Sequence, residues 1–237
     1  MRGPMKKIVI LTGAGISADS GLKTFRDNDG LWENHRVEEV ATPEAFYSNP
    51  DLVYRFYNLR RLQLKETKPN PAHEAIGTLL NSDKFQTILV TQNVDDLHER
   101  GGAKDLIHMH GELRKVKCLN SNKSISWTEE LDQSHFCECC DPPSNLRPDI
   151  VWFGEMPYRM DEIMRHLGEC DHFISIGTSG HVYPAAGFVQ IAKFEAGARC
   201  IELNLDESMQ SSVFDESIRG RAAEIVPQYI EKLLRNG

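Results

Sequence analysis

Apolar β-like runs alternating with helical stretches, and a glycine-rich turn directly after the first run, predict an open α/β fold. The expected architecture is a Rossmann-like parallel sheet with helices on both faces. A third observation adds a small lobe, because two segments break the alternation: one helical insertion and one cysteine-containing insertion. The 237 residues suffice for one sizeable core, or for one core plus such a lobe. With 40% hydrophobic and 26% charged residues, the chain has a globular balance rather than a disordered one. Its net charge of −8 argues against direct nucleic-acid binding. No apolar run reaches bilayer length, so no membrane association is expected. The opening "MRGPMKKIVILTGAG" lacks a signal-peptide cleavage site, so a cytoplasmic location is expected.

Taken in order, "KKIVILTG" reads as a buried parallel strand, and "FQTILVTQ", "HFISIGTS" and "RCIELNLD" read the same way. Helical stretches run from Asp51 to Lys65, Ala72 to Asn81, Arg159 to Glu169 and Ala185 to Glu195, with a closing helix from Ala222 to Leu234. Residues 31 to about 70 read as helical with no strand. Residues 111 to about 147 carry short β-like pieces, the cysteines and the turn-rich "DPPSNLRP". The expected division is a discontinuous Rossmann-like nucleotide-binding domain (1–30, 71–110 and 148–237) and a small domain made of 31–70 and 111–147.

The glycine-rich turn is "GAGISADSGLKTFR", residues 13 to 26. Gly13, Gly15 and Ala18 fit the G-x-G-x-x-G/A pattern, in which backbone N–H groups at a helix start meet a pyrophosphate. Two features depart from an ordinary dinucleotide fold. Gly21 interrupts the helix after one turn, and no acidic residue follows a second strand about 20 residues on. Asn204 to Asp206, at the end of a later strand, offer an alternative for the adenosine end. Further polar clusters follow other strands: "TQNVDDLH" with Gln92, Asn93 and Asp95, "GTSG" at 177–180, and "HMHGEL" with His108 and His110. Taken singly, each reads better as a helix cap or a packing residue; four such clusters, each after a strand, point to a ligand site.

Six cysteines are unevenly spread. Cys170 and Cys200 sit in apolar segments and read as buried thiols. Cys118, Cys137, Cys139 and Cys140 cluster, which suggests metal before disulfide in a chain with no export signal.

Together, "GAGISADSGLKTFRDNDGLW", "TQNVDDLH", "HMHGEL", "IVWFGE" and "GTSGHVYPAA" resemble the sirtuins, NAD-dependent protein-lysine deacylases. The match runs in order from Lys7 to Leu234. It is strongest to bacterial CobB-type members of the class that removes acidic acyl groups. The resemblance implies that NAD is a consumed co-substrate and that the protein substrate is an acyl-lysine segment bound as an extended strand. It implies His110 as the catalytic base. It places Gly13, Ala14, Gly15, Ile16, Phe25, Arg26 and Trp32 around the cofactor's phosphates and nicotinamide ribose. Phe25 shields the reactive C1′ face and Arg26 lies near the phosphates. Gln92, Asn93, Val94 and Asp95 line the nicotinamide end, with Asp95 on the carboxamide. Gly177, Thr178, Ser179, Asn204, Leu205, Asp206 and Ala222 take the adenosine end.

By the same resemblance, substrate backbone pairs with Val151, Phe153, Gly154 and Glu155 on one side and with Val182, within Gly180 to Tyr183, on the other. Tyr57 and Arg60, three apart on one helix face, match the pair that accepts a succinyl or malonyl carboxylate, and Ala41 matches the small residue that widens that pocket. Read without the resemblance, Tyr57 packs on the core and Arg60 is solvated. Arg61 is the adjacent competitor, about 100° further round.

The cysteines depart from the family pattern of two pairs. Cys118 is followed by Leu119, Asn120 and Ser121, so the first pair lacks its second thiol. Cys118 and Cys137 are the primary zinc-ligand candidates. Cys139 and Cys140 are possible completions, and His135 is a substitute for one thiolate. Any zinc would be structural. By count four thiolates suffice, but the usual hairpin geometry is not expected. Three rival readings are a dehydrogenase, an ADP-ribosyltransferase and a non-catalytic NAD or ADP-ribose sensor.

Overall fold

A computed structural model describes residues 5–23, 31–32 (backbone only) and 35–236. In chain order the strands are β1 (Lys7–Thr12), β2 (Leu31–Trp32), β3 (His35–Arg36), β4 (Gln86–Thr91), β5 (Ile107–His108), β6 (Gly111–Cys118), β7 (Ser124–Ser126), β8 (Leu146–Ile150), β9 (His172–Ile176), β10 (Arg199–Asn204) and β11 (Glu216–Arg219). The helices are α1 (Gly15–Ala18), α2 (Val37–Val40), α3 (Pro43–Ser48), α4 (Pro50–Glu66), α5 (Pro71–Leu80), α6 (Leu97–Arg100), α7 (Met160–Gly168), α8 (Phe188–Phe194) and α9 (Ala222–Asn236).

The main sheet has the order β11-β10-β9-β1-β4-β5, and all of its pairings are parallel. Strand β1 is apolar from Ile8 to Leu11 because both of its faces are covered. Ile8 and Ile10 pack with Ile76 and Leu79 of α5 and with Val226 and Ile230 of α9. Val9 and Leu11 pack on the other face with Ile163 and Leu167 of α7 and with Phe188 and Val189 of α8. The chain runs one way from β1 to β4 and β5, and the other way from β9 to β11. The direction therefore reverses between β1 and β9, and ligands of such sheets gather at the carboxyl ends beside that point.

A third apolar cluster combines α2, α3 and α4 with β6, β8, the cysteines and Trp152. Helix α4 is its spine. Asn49 caps it through Leu52 N (3.2 Å) and Pro50 occupies its first turn. Side chains on α4 then reach across to the cysteine-containing segment. Asn58 pairs with both backbone groups of Leu131, at 2.9 and 3.0 Å. Tyr54 donates to the Leu146 carbonyl at 2.6 Å. Arg61, buried, donates to the carbonyls of Leu113 (2.7 Å) and Glu129 (3.3 Å).

The expected strands and helices correspond to β1, β4, β9, β10, α4, α5, α7 and α9 to within three residues at each end. Two expectations need correction. Residues 31–70 are not strand-free, because β2 and β3 pair as a short antiparallel ladder. The stretch from Ala185 begins as a 3₁₀ turn, Ala185–Gly187, before α8. Among the described residues no helix is long and apolar enough to cross a membrane.

Replacing Arg61 by Met keeps much of the apolar stem but leaves the carbonyls of Leu113 and Glu129 without these donors. The expected cost is about 2–4 kcal/mol, read from denaturant unfolding, with earlier proteolytic cutting within residues 111–147. An unfolding midpoint equal to that of the parent chain would contradict this role.

Candidate active site

The loops after β1 and β9 are locked together by contact between their backbones. Gly13 N donates to the Ile176 carbonyl (3.0 Å) and Gly15 N to the Gly177 carbonyl (2.9 Å). A Cβ on Gly15 would lie 2.8 Å from that same carbonyl oxygen. Gly177 has φ +63, and a Cβ there would stand 2.4 Å from Ile16 N. Side chains are therefore excluded on both sides. Ala14 is the N-cap of α1 and makes no side-chain cap. Ile16 is fully buried in the sheet core, so its side chain does not face a ligand.

Beneath this contact lies a buried polar network. Asn93 donates from Nδ2 to the Gly13 carbonyl and to Ser17 Oγ, both at 3.2 Å. Ser17 Oγ donates to Asp95 Oδ2 (3.1 Å), and Leu97 N donates to Asp95 Oδ1 (3.1 Å). His73 Nδ1 accepts from Asn70 N (3.2 Å), so its proton sits on Nε2, 3.4 Å from Ser17 Oγ. Burial pushes the His73 pKa down to about 4, which keeps that imidazole neutral. Burial also raises the Asp95 pKa against the two hydrogen bonds that oppose it. Thr12 donates to Thr91 Oγ1 (2.8 Å), which in turn accepts from Asn93 N (3.0 Å). Val94 is tied to the other lobe through its carbonyl, which accepts from Leu113 N at 2.8 Å.

His110 sits where the two lobes meet. Its Nδ1 lies 3.1 Å from the Gln92 carbonyl, which places the ring proton there and leaves the Nε2 lone pair open. Its own carbonyl accepts from Val151 N (2.9 Å). Burial lowers its pKa below the ordinary value of 6.5, against the hydrogen bond to Gln92.

On the β9–β10 side, Asn204 Nδ2 donates to the Thr178 carbonyl (2.7 Å), so this amide braces the loop. Thr178 Oγ1 meets Ser175 Oγ at 3.0 Å, and the Ser179 carbonyl accepts from Met209 N at 3.1 Å. Leu205 is exposed, Asp206 follows it, and Ala222 lies at the start of α9. Asp19 caps that helix through Ala223 N (3.1 Å) and pairs with Arg221 (2.6 Å).

Tyr57, fully buried, accepts a hydrogen bond from Trp152 Nε1 at 2.9 Å. Arg60 is 9% exposed, its guanidinium 5.7 Å from the Phe56 ring centre, so the solvated alternative for Arg60 does not hold. Ala41 is buried, and its carbonyl accepts from Phe153 N at 3.0 Å. Tyr57 and Ala41 therefore converge on the segment after β8.

That segment is not a regular strand. Phe153, Gly154 and Glu155 form a turn, with Glu155 N donating to the Trp152 carbonyl at 3.0 Å. The Glu155 carboxylate is held by Arg147 at 2.7 Å and by Trp152 N at 2.9 Å. A substrate strand pairing here would have to use the carbonyls and the Gly154 N–H. Opposite, Val182 accepts from Ala186 N (2.9 Å), and Tyr183 is exposed. Phe25, Arg26 and the Trp32 side chain lie outside the described residues.

The four cysteine sulfurs all lie within 4.8 Å of one another. Cys118 to Cys140 is 3.7 Å and Cys139 to Cys140 is 3.8 Å. A tetrahedron with Zn–S bonds of about 2.3 Å has S···S edges of about 3.8 Å, so the donor set fits one zinc ion. The geometry expected to be unfavourable is thus available. Ser121, at the position of the missing thiol, contacts Cys118 from its N–H (3.5 Å) and Cys139 from its hydroxyl (3.1 Å). His135 is not part of the cluster. It contacts Asp132 at 2.8 Å and packs edge-on against Trp127.

The sequence reading missed the supporting layer: Ser17, His73, Thr91 and Trp152. Ser17, Thr91 and Trp152 lie inside the quoted motifs without an assigned role, and His73 is the third residue after the Asn70 cap in "NPAH".

The Sir2 family model matches residues 13–184. The chain belongs to the Sir2 family. An NAD-dependent protein deacylase of Pasteurella multocida is 57% identical over 230 residues, covering 96% of this chain and 98% of the relative. Another of that description, from Escherichia coli K12, is 54% identical, covering 97% and 82%. A solved Sir2 homologue in complex with NAD superposes with a TM-score of 0.88 at 40% identity, covering 98% of this chain and 90% of that one. A Sir2 bound to an acetylated peptide gives 0.80 at 28% identity, covering 95% and 92%.

The sulfur geometry predicts one zinc per chain by elemental analysis. Cys118→Ser and Cys140→Ser should each release it and lower the melting temperature, whereas His135→Ala should retain it. Retention of zinc in both cysteine variants would place the ligands elsewhere.

Proposed function

We propose that this Sir2 family member is an NAD-dependent protein-lysine deacylase that removes succinyl groups, and also malonyl and acetyl groups. Its products are the free lysine, nicotinamide and 2′-O-acyl-ADP-ribose. The observation that carries this reading is the position of His110. Its ring is anchored on the Gln92 carbonyl, and its backbone on Val151 N, the first residue of the segment assigned to acyl-peptide. A neutral imidazole with an open Nε2 between those two places is suited to take a ribose hydroxyl proton. NAD-bound and acetyl-peptide-bound Sir2 structures of the same fold support the reading.

The loops of Gly13–Ile16 and Gly177–Ser179 would hold the phosphates and adenosine, with Asn204–Asp206 and Ala222 beside them. Gln92, Asn93, Val94 and Asp95 would line the nicotinamide ribose. The acyl-lysine oxygen attacks C1′ and nicotinamide leaves. His110 takes the proton from the ribose hydroxyl, whose oxygen then attacks the acyl carbon. Hydrolysis of that adduct releases the lysine amine and the acylated ADP-ribose. Excluding bulk water from C1′ protects the oxocarbenium-like centre from simple hydrolysis. The cofactor site belongs to the unit of residues 1–30, 71–110 and 148–237. The acyl pocket draws on 31–70, and zinc in the 111–147 module would hold shape without chemistry.

Acidic acyl preference rests on Tyr57 and Arg60. The Tyr57 oxygen accepts from Trp152 Nε1, and a phenol hydroxyl is also a donor that suits a carboxylate. The Arg60 fork adds charge-assisted bonds that lysine would not reproduce.

The deciding assay offers one peptide with acetyl-, succinyl- or malonyl-lysine, with and without NAD, read by mass spectrometry. His110→Tyr should lower turnover by about 10²–10⁴-fold without unfolding the chain. Turnover should also rise with pH through the His110 pKa, which burial sets below 6.5, because only the neutral ring is a base. Arg60→Met should abolish desuccinylation and spare most deacetylation. Equal loss of both would withdraw the acyl assignment.

A further inference from the structure

The two histidines of "HMH" hold successive carbonyls of one loop. His110 Nδ1 lies 3.1 Å from the Gln92 carbonyl, and His108 Nδ1 lies 3.1 Å from the Asn93 carbonyl. They differ at the other nitrogen. His110 Nε2 is open, whereas His108 Nε2 lies 2.8 Å from Glu99 Oε1. Both neighbours of His108 are acceptors, a carbonyl and a carboxylate. A neutral imidazole carries one N–H and can satisfy only one of them, whereas an imidazolium satisfies both. Its side chain is 8% exposed, so water does not readily replace a lost bond.

We propose that His108, held as an imidazolium between the Glu99 carboxylate and the Asn93 carbonyl, is a positioning residue for the deacylation reaction. It fixes the backbone at Asn93 while the Asn93 carboxamide points to Gly13 and Ser17 beneath the nucleotide loop. This assignment rests on the deacylase reading. The pairing is built from three elements. Strand β5 supplies His108 beside Thr91 of β4, α6 supplies Glu99, and β6 supplies Glu112, whose carboxylate lies within 4.8 Å of the other two.

The charged surroundings agree with this state. Burial favours a neutral His108, but the Glu99 hydrogen bond and the charges of Glu99 and Glu112 outweigh it and raise the pKa. His98 of α6 and Asp95 also feel this ring; burial keeps His98 neutral, and Lys115 pairs with Glu112 at 2.6 Å. Two histidines two residues apart are thus driven in opposite directions, one toward a neutral base and one toward a fixed cation.

The sign of the pH effect follows. The raised pKa means that the clamp is complete at low pH and is lost as pH rises through the folded His108 value. Removing Glu99's charge lowers that value, so the loss begins at lower pH.

The test compares the parent chain with Glu99→Gln and His108→Gln. Proton–nitrogen NMR of the resting protein should show both ring nitrogens of His108 protonated at neutral pH, and a titration above 6.5 that falls in Glu99→Gln. Steady-state deacylation from pH 6 to 10 should show an alkaline limb that moves down in Glu99→Gln. In His108→Gln, kcat should drop by about tenfold with the peptide KM unchanged. A neutral His108 at pH 7 overturns the proposal. So does an unshifted alkaline limb and unchanged kcat in folded variants. An inactive parent chain with a protonated His108 would instead overturn the deacylase reading on which the positioning role depends.

Discussion

The close approach of the Gly13–Gly15 turn to Gly177 is the constraint on which the rest of the site depends. Two strands 4.8 Å or so apart bring their following loops together only if no side chain intervenes. Here three glycines leave main chain against main chain, closed by hydrogen bonds of 2.9 and 3.0 Å. Everything on either side takes its position from that seam. Asn93 reaches the Gly13 carbonyl from β4, and Asn204 reaches the Thr178 carbonyl from β10. The switch point of the sheet therefore has fixed walls before any ligand arrives.

The second lobe depends on one helix in a comparable way. Helix α4 carries Tyr57 and Arg60 on the side of Trp152, and Asn58 and Arg61 toward the β6 segment and the loop at 129–131. One rigid element thus sets both the surface that meets Trp152 and the frame of the cysteine module. A loop would not hold both sets in register, because they lie on different faces of about one turn of the helix. The Tyr57–Trp152 bond extends this coupling to the segment after β8, and Arg147 stacks on the same indole at 3.6 Å.

How much of this was legible in the sequence follows from the kind of signal each feature leaves. Strands β1, β4, β9 and β10 are buried on both faces, and continuous apolar runs announce them. Strands β2, β3 and β5 span two residues each and leave no period to read. Strand β11 is half exposed at the sheet edge and alternates weakly over four residues. At the site, Gly13, Asn93, Asp95 and His110 stood out because polar groups follow apolar strands. Ser17 did not, since a serine inside a first helical turn looks like any surface residue. The cysteine cluster was visible by count, but its shape was not. The missing second thiol after Cys118 argued against the usual hairpin geometry, whereas the turn after β6 and the bridge between Phe136 and Asn145 bring all four sulfurs together. His135 lay close in sequence but was drawn to Asp132 instead.

The distribution of buried polarity explains why the fold tolerates such a site. The central strands are mainly apolar, and their buried polar groups gather at the carboxyl ends; Glu202 within β10 is an exception, held by Arg219 at 2.7 Å. Thr12, Thr91, Asn93, Asp95, Ser175 and Asn204 are all buried there. Each is satisfied by a neighbour rather than by solvent, so the desolvation cost is offset locally. Asp95 shows the limit of that arrangement. Two hydrogen bonds do not overcome its burial, and its charged form is disfavoured. A carboxyl held in this state gains from a further donor, whereas a solvated one does not. The same physics that makes this end of the sheet expensive to fold makes it responsive to a polar ligand placed against it. A polar residue at mid-strand must find its partners within the protein, as Glu202 does in Ser211, Ser217 and Arg219, because α5, α7, α8 and α9 cover those faces.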